Sequence, residues 1–568
     1  MLRIPHLFFK DATGNRLIWL ASTAAGCGFI LFGKVNACGG ESSTLASVTA
    51  NTAAAYRYDQ GVMGGLISLD KFLEVFPECR DPDIAGITVA VYELGCLLGA
   101  IWAIIMGDRL GRKNTIMLGM IVMCLGAAVM SASFGLAEFI VGRVIAGIGN
   151  GMNTATIPSL QSELAPPRIR GALVLVSGAL VATGIAISYA VDLGFFFLDG
   201  SISWRFPLAF QIVFAIMVMG FLLMIPESPA WLIKHSDRHP EFRREGKATL
   251  ARIYATDEDD EHISGLVDAM DSAAAQVADS RFKDIFTHGP TQNFRRATLG
   301  FLAQILQQIT GINLISYYSA TLFEQIGLSP LLSRYLALAN GIEYAIAGFV
   351  AILFVDTLGR RKTMIWGSIG CGLCMVILTG LVHASDNGQK ACGYAATVFL
   401  FLFNTFFAFG WLGSGWLYPS EISSLSVRAQ ANGLSTCANW LGNFLVVEIT
   451  PPAFAGIGAY TYLIFAVTNL FIIAPTLYLF FPETARRSLE EIDLIFAEAY
   501  NSQQGSGSGN RLIGHYVGHS LRRPHISGRE LEAALQAQYA LAKEKMPDLK
   551  AYSIEHVEEA KRSDEEGV

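Results

Sequence analysis

Four carboxamide side chains and two tyrosines crowd one apolar segment: Gln304, Gln307, Gln308, Asn313, Tyr317 and Tyr318. In a helix, residues 304, 308 and 315 share one face, and residue 307 lies beside it. A carboxamide donates and accepts hydrogen bonds at once, and so does a hydroxyl group. The segment is therefore predicted to bind a polyhydroxylated solute. The alternative is that the amides only join helices to one another inside a membrane.

Asp59 and Arg143 are charged side chains inside two other apolar segments. Such residues are costly in lipid unless they are paired or functional. An aspartate beside an arginine keeps its charge, whereas separating the two in a low dielectric favours protonation of the carboxyl group. The pair is predicted to couple a proton to a conformational change, although a structural ion pair is the alternative. Glu93 and Glu343 also lie in apolar segments and are predicted, at most, to line a cavity.

The elements that position these residues are predicted to be membrane-spanning helices. Of the 568 residues, 52% are hydrophobic and only 16% are charged, whereas soluble proteins carry about 25% charged residues. The apolar residues come in blocks of about 20, the length that crosses a bilayer. Twelve spans are predicted, near 17–33 (continuing at 58–68), 86–106, 114–134, 138–158, 171–191, 206–225, 298–318, 335–355, 364–384, 393–418, 430–450 and 457–481.

Three motifs occur twice in the same order. Residues 108–113 (DRLGRK) are echoed by 356–362 (DTLGRRK), Glu163 with Arg170 by Glu421 with Arg428, and Glu227 by Glu483. The offsets are 248, 258 and 256 residues. The chain is therefore predicted to be a tandem duplication of a six-span unit, the arrangement in which a substrate binds between the two halves.

The basic residues concentrate in short loops, such as 109–113 and 360–362. If these loops are cytoplasmic, both termini are cytoplasmic too. The predicted organisation is a cytoplasmic N-terminus, a six-helix bundle, a cytoplasmic linker with short helices, a second bundle and a cytoplasmic tail: 1–16, 17–225, 226–296, 297–481 and 482–568. Within the tail, 503–509 is predicted to be a flexible linker.

Residues 34–57 interrupt the first predicted span with a polar, small-residue stretch. Joining Gly33 to Tyr58 would give a continuous helix of suitable length. We therefore expect that 34–57 is absent from the working protein.

With these motifs in combination, the chain resembles the sugar porter family of the major facilitator superfamily, in particular the fungal sugar and polyol transporters. The resemblance covers residues 16–493 and depends on 58–61 (YDQG), 107–113 (GDRLGRK), 142–143 (GR), 162–171 (SELAPPRIRG), 226–229 (PESP), 307–313 (QQITGIN), 417–421 (LYPSE), 439–440 (NW) and 482–484 (PET). It implies an all-α integral membrane protein with the major facilitator fold. Twelve transmembrane helices would form two six-helix halves around a central cavity.

The resemblance also implies roles for particular residues. The substrate-binding residues would be Gln307, Gln308, Asn313, Tyr317, Trp416, Asn439 and Trp440. Asp59 and Arg143 would couple a proton. From the duplicated acids and bases of the short loops, a conformational latch that joins one half to the other at the cytoplasmic face is also predicted, with simple positive-inside topology as the alternative. It would consist of Asp108, Arg112, Glu163, Arg170, Glu227, Arg360, Glu421, Arg428 and Glu483.

The chain departs from the family pattern in its fifth span. Where relatives place glutamines that bind hexose or pentose, this chain has Gly178 and Ile185. A substrate that needs fewer polar contacts there is predicted, such as a polyol or a bulkier glycoside. Ala230 also stands where an arginine usually follows the 226–229 motif.

The predicted function is proton-coupled transport of a sugar or polyol by alternating access, in a multi-pass protein of the plasma membrane. An uncoupled facilitator and a membrane sugar sensor are the alternatives. The predicted partners are the sugar or polyol, the proton and the lipid bilayer. The sequence has no metal-ligand spacing, cofactor motif, nucleophile–base pair or nucleic-acid-binding pattern, and we predict neither an enzyme nor a nucleic-acid-binding protein.

Overall fold

A computed structural model describes residues 58–164, 170–237, 239–254, 256–278, 282–485, 487 and 489–505, together with the isolated residues 517, 520, 534, 537 and 538. Residues 1–57 lie outside this description, and with them the predicted N-terminus, the 17–33 span and the 34–57 segment. The described residues form helices and no strands, which confirms the all-α prediction.

The first half contains seven described helices. Five of them are long, and they follow one another through short loops. They are α1 (58–66), α2 (Asp70–Val75), α3 (Pro82–Leu110), α4 (Arg112–Ala132), α5 (Leu136–Leu164), α6 (Arg170–Phe196) and α7 (Ile202–Met224). A linker of three helices follows, namely α8 (Pro229–Lys234), α9 (Pro240–Tyr254) and α10 (Glu261–Ala278).

The second half repeats this succession, with several of its spans broken. Its helices are α11 (Asn293–Gln308), α12 (Ile312–Gln325), α13 (Pro330–Leu358), α14 (Arg360–Asp386), α15 (Lys390–Phe407), α16 (Ser414–Ile422), α17 (Arg428–Ile457), α18 (Thr461–Val467) and α19 (Ala474–Phe480). Wider π-helical turns at Ala408–Leu412 and Thr468–Ile473 connect α15 to α16 and α18 to α19. Helix α20 (Leu489–Gly505) follows.

Nine helical segments among the described residues are long and apolar enough to cross a bilayer. They account for ten of the predicted spans, because the last segment, Arg428–Phe480, contains two. The other two predicted spans are the first, of which only the 58–68 end is described, and α5, which carries Arg143, Asn150 and Asn153 in its middle.

Apolar side chains cover the outside of the bundle while polar side chains are buried inside it. Leu353 and Phe471 are 72% and 73% exposed, whereas Asp59, Arg143 and Asn439 have no exposed surface. A soluble protein shows the opposite distribution. The outer surface is therefore suited to lipid, as expected of a protein whose backbone is hydrogen-bonded within its helices.

Helix α20 packs against the second half, although the sequence predicted a polar tail from residue 482. Ile492, Ile495, Phe496 and Ala499 are buried along one side of it. The Asp493 carboxylate lies 2.5 Å from the Arg296 guanidinium, which is 1% exposed. A helix with residues buried at this spacing is amphipathic, and its apolar stripe attaches the chain after residue 488 to the second bundle.

Candidate functional site

The seventh span is broken in its middle, between α11 and α12. Gly311 has φ +97°, a backbone conformation that residues with a Cβ rarely adopt. The carbonyls released by the break have partners on the last span, since Thr468 Oγ1 donates to Ile309 O at 3.1 Å and Asn469 Nδ2 donates to Thr310 O at 2.8 Å. A helix interrupted at this depth exposes its polar side chains to the interior between the halves.

The carboxamides around the break form a connected network. Gln308 Nε2 donates to Asn439 Oδ1, and Asn313 Nδ2 donates to Gln308 Oε1. Gln307 Nε2 donates to Trp411 O at 2.9 Å, within the Ala408–Leu412 turn. Gln308 Nε2 also lies 3.4 Å from Gln307 Oε1. The network orients the amides, because every one of these bonds fixes one end of a side chain.

A cavity lies between the two halves. Its lining comprises Gln60, Val181, Ile185, Gln307, Gln308, Ile312, Asn313, Ser316, Tyr344, Phe407, Leu412 and Trp416. Small-molecule sites are usually cavities in which a few polar groups converge. The cavity therefore combines polar groups that can bond hydroxyls with the indole of Trp416, and nearly all of its described polar groups come from the second half.

Four of the seven predicted substrate-binding residues line this cavity: Gln307, Gln308, Asn313 and Trp416. Asn439 lies behind the lining, where it accepts the hydrogen bond from Gln308. Trp440 and Tyr317 are fully buried outside the lining, and the Tyr317 hydroxyl donates to the Glu93 carboxylate on the first half. The cavity does not include these last three side chains in this conformation.

Sequence reasoning did not assign Gln60, Ser316 or Tyr344 to the cavity. Gln60 belongs to the YDQG motif at 58–61, but the motif alone does not tell which of its side chains points inward. Ser316 lies three residues after Asn313, so it shares a face of α12 with a predicted site residue. That spacing is a signal that could have found it.

The fifth span presents apolar side chains to the cavity. Val181 and Ile185 are both part of the lining. A Cβ on Gly178 would lie 3.1 Å from Leu412 O, in tight contact with the facing backbone. Helix α6 therefore offers the substrate no hydrogen bond from these three positions.

The Asp59–Arg143 pair lies in the first half. Arg143 Nη1 lies 3.0 Å from Asp59 Oδ2, and neither side chain has exposed surface. Arg143 Nη2 also donates to Val89 O at 2.7 Å, and the guanidinium lies 4.7 Å from the centre of the Tyr92 ring. The Arg143 side chain is thus held by several partners, whereas the Asp59 carboxylate is paired with one described cation.

The latch residues of the first half meet where α3 ends and α4 begins. Arg112 Nη2 lies 3.0 Å from Glu163 Oε1, and Arg112 Nη1 lies 3.2 Å from Asp108 Oδ1. Lys234, in the linker, places its Nζ 2.9 Å from Asp108 Oδ2. This cluster therefore ties α3, α4 and α5 to helix α8.

Glu227 caps the first turn of α4. Its carboxylate accepts hydrogen bonds from the backbone N–H groups of Arg112 at 3.1 Å, Lys113 at 3.1 Å and Ser228 at 2.9 Å. Burial raises the pKa of the Glu227 carboxyl group above its usual value, and the Ser228 and Lys113 N–H groups oppose that rise. The site is an anion position at a helix N-terminus, occupied by a side chain of the same half.

The second half has an equivalent ion pair and an equivalent capping glutamate. Arg360 Nη2 lies 3.1 Å from Glu421 Oε1, and Glu483 accepts from the backbone N–H groups of Arg360 at 2.9 Å and Arg361 at 3.2 Å. Arg428 Nη2 donates to Ser423 O at 3.3 Å. The Arg170 side chain lies outside the described part of the structure. Each of these described pairs joins residues of one half or of the linker beside it.

Known proteins resemble this arrangement. Residues 45–496 match the family described as "Sugar (and other) transporter". Sugar transporter STL1 of Saccharomyces cerevisiae is 38% identical over 472 residues, which are 80% of this chain and 81% of that protein. The MFS-type transporter oryC of Aspergillus oryzae is 38% identical over 78% of this chain and 83% of its own.

Solved structures show the same fold. The proton:xylose symporter XylE with bound 6-bromo-6-deoxy-D-glucose superposes with a TM-score of 0.67 at 22% identity, over 80% of this chain and 98% of that one. The inward-open conformation of the xylose transporter XylE from E. coli gives a TM-score of 0.64, also at 22% identity, over 79% and 98% of the two chains. At this sequence identity, the similarity supports the fold alone.

Proposed function

The chain belongs to the sugar porter family of the major facilitator superfamily, a family of multi-pass membrane transporters, and from that premise we propose that it carries a sugar or polyol together with a proton. The observation that carries the proposal is the cavity between the halves, in which Gln307, Gln308 and Asn313 converge beside Trp416. Amides bond hydroxyl groups in both directions, and an indole face covers the C–H side of a carbohydrate.

The distribution of polar groups in the cavity favours a polyol or a glycoside with an apolar side. Of the polar lining residues that the structure describes, only Gln60 belongs to the first half, and Val181 and Ile185 line the cavity with hydrocarbon. A ring sugar with hydroxyls on every side would leave several of them without partners, at about 1–3 kcal/mol for each buried unsatisfied group. A solute that directs its hydroxyls to the second half avoids that cost.

Proton coupling is supported by Asp59, a buried acid that faces one cation. Alternating access moves the halves relative to each other and changes the water that reaches this pair. A carboxyl group that loses its cation or gains water changes its proton affinity. Binding of a proton and a change of conformation are thereby linked, which an uncoupled facilitator does not require.

The proposed setting is the plasma membrane, with the Arg112 and Arg360 loops and both termini in the cytoplasm. The clustering of arginine and lysine in these loops supports this orientation. The orientation is tested with epitopes inserted in the connection between α1 and α3 (loop 67–81, which contains α2) and in the linker. Their accessibility to antibody is measured on intact and on permeabilised cells. Reaction of the linker epitope on intact cells would reverse the orientation.

Purified protein in proteoliposomes with an imposed pH gradient tests the function. A panel of radiolabelled polyols and sugars of increasing carbon number should yield at least one solute that accumulates uphill when the gradient is present. Uptake that only equilibrates would favour the facilitator. A chain that transports no member of the panel but still binds one would favour the sensor.

A further inference from the structure

A second ionic cluster joins the two halves at the end of the cavity nearest loop 67–81. Arg334, on α13, is 4% exposed, and its Nη1 lies 3.0 Å from Glu324 Oε1. Its Nη2 reaches the first half, where it lies 3.3 Å from Ser68 Oγ and 3.4 Å from Gly65 O. These contacts close this end of the cavity, because a side chain of the second half donates to the backbone at the end of α1.

Asp192, on α6, lies against the same turn of α1. A Cβ on Gly65 would be only 2.4 Å from Asp192 Oδ2, so the carboxyl group packs directly on the backbone. Asp192 is 6% exposed, and neither of its oxygens has a hydrogen-bond partner among the described residues. An ionised carboxylate buried in this way costs several kcal/mol.

The groups around Asp192 do not supply the missing proton donor. Among the residues that the structure describes, the ionisable groups within electrostatic range are Tyr58 on α1, Tyr189 on its own helix and Arg334 on α13. The Tyr58 hydroxyl donates to Pro207 O at 3.0 Å, and the Tyr189 hydroxyl donates to Ser316 O at 2.7 Å. Both phenolic protons are therefore already used.

Two acids thus share one cation. The Arg334 guanidinium is paired with Glu324, and Asp192 receives no hydrogen bond from it. When two carboxylates compete for a site of this kind, one of them takes up a proton. We propose that Asp192 is a second protonation site of the transport cycle, and that its carboxyl group takes up a proton when the cavity closes at the loop 67–81 end.

The proton balance differs from that of coupling through Asp59. On opening, the Asp192 carboxylic acid becomes hydrated and releases its proton to the solution at the loop 67–81 face. On closing, the carboxylate takes a proton back from that same solution. The site therefore sets how the closing equilibrium depends on pH at this face, and it moves no proton across the membrane. The inference depends on the family's alternating access and is independent of the proposed coupling at Asp59.

A cysteine in the cavity reports the closing equilibrium. Ser316→Cys places a thiol in the lining, and its backbone carbonyl still accepts from Tyr189. A membrane-impermeant maleimide is added at the loop 67–81 face at a series of pH values, with the protein lacking the new cysteine as the blank. Labelling of Ser316→Cys should rise with pH. Ser316→Cys combined with Asp192→Asn should show slow labelling whose pH dependence is only that of the thiol itself.

The difference between these two profiles is the measurement, since thiol ionisation contributes equally to both. The excess rise should approach about tenfold per pH unit while Asp192 titrates. Asp192→Ser, which also cannot titrate, replaces Asp192→Asn if that variant does not reach the membrane. Parallel profiles with and without Asp192 would overturn the proposal.

Glu324→Gln is the matched control at the same cluster. It removes the acid that competes with Asp192 for Arg334, so Asp192 can keep its charge when the cavity closes, and the excess rise of labelling with pH should become weaker than in Ser316→Cys alone. Asp192→Asn should still accumulate solute uphill, and Asp59→Asn should keep the pH-dependent labelling. Loss of that dependence in Asp59→Asn, with its retention in Asp192→Asn, would assign the closing proton to Asp59 and refute the role of Asp192.

Discussion

The Arg143 guanidinium lies 3.0 Å from the Asp59 carboxylate inside the first half, and water reaches neither side chain in this conformation. Arg143 is also held by Val89 O at 2.7 Å and by the ring of Tyr92. The position of the arginine therefore does not depend on the aspartate. Loss of the Asp59 charge leaves the cation with other partners, whereas loss of Arg143 takes away the cation that faces Asp59.

Asp59→Asn should abolish uphill accumulation and keep exchange. Asparagine has nearly the same shape and cannot titrate, so the substrate cavity and the movement of the halves remain. We expect an accumulation ratio near unity, with exchange of labelled for unlabelled solute within about twofold of the unmodified protein. Both are measured in proteoliposomes at matched protein content. Proton-driven accumulation by the variant would transfer the coupling role to another acid, such as Glu93 or Glu343.

Arg143→Gln should impair exchange as well as accumulation. It leaves a buried carboxylate without its cation, at a cost of about 3–5 kcal/mol, or forces Asp59 to stay protonated. The thermal unfolding midpoint in detergent should fall, and it should recover in the double variant that also carries Asp59→Asn. A double variant no more stable than Arg143→Gln alone would contradict this explanation.

Gln308→Ala should weaken the apparent affinity for the substrate. Removal of one hydroxyl partner from a dry cavity costs about 1–3 kcal/mol, which corresponds to an increase of about 5- to 150-fold in the transport KM. Gln304→Ala on the same helix is the matched control. Gln304 Nε2 donates a hydrogen bond to Gly415 O at 2.9 Å, and Gln304 does not line the cavity. An equal loss of affinity in both variants would indicate a structural effect of α11.

Ile185→Gln should broaden the substrate range toward sugars with more hydroxyls. Ile185 is part of the cavity lining on α6, so a glutamine there adds a donor and an acceptor on the apolar side. We expect competition assays to show several-fold stronger inhibition by a hexose than in the unmodified protein, with Ile185→Leu as the control. An unchanged ranking of competitors would mean that this wall does not contact the substrate.

Gly359→Ala should destabilise the second half. Gly359 has φ +93°, and an added Cβ would lie 2.5 Å from Glu483 Oε2. Backbone strain of this kind costs about 1–3 kcal/mol, to which the displaced carboxylate adds. The thermal midpoint should fall for Gly359→Ala and, for the same reason, for Gly111→Ala. Gly388 lies in a loop where an added Cβ would meet nothing within 4 Å. The change in thermal midpoint of Gly388→Ala therefore measures backbone strain without displacement of a carboxylate.

The sequence was most informative where its residues recur. The matched spacing of Glu163 and Glu421 predicted equivalent roles in the two halves, and the structure pairs them with Arg112 and Arg360. The break after Gln308 was not predicted, since the apolar pattern continues through it. It is stabilised by Thr468 and Asn469, which lie about 160 residues away, and no local pattern contains such a contact.

Helix α20 is a different case, because its signal was present. Ile492, Ile495, Phe496 and Ala499 follow the spacing of one helical face. The charged residues between them suggested a solvated tail instead. The rotation of α1 about its axis is harder to predict from the sequence. Whether Gln60 or Asp59 faces the cavity depends on how α1 packs against its neighbours and not on its own sequence.

The attachment of α20 also decides where the chain tolerates being cut or fused. A fluorescent protein that replaces everything after residue 488 would remove Asp493, and the buried Arg296 would lose its carboxylate. A reporter joined beyond Gly505 leaves that contact in place. Residues beyond α20 make contacts too, since the Glu483 N–H donates to Ser520 Oγ at 3.1 Å and Asn501 Nδ2 donates to Gln538 O at 2.8 Å. Trimming for cryo-electron microscopy and tagging for localisation therefore have to spare α20 and these residues, and poor expression of a shorter version would be a packing defect of the second bundle.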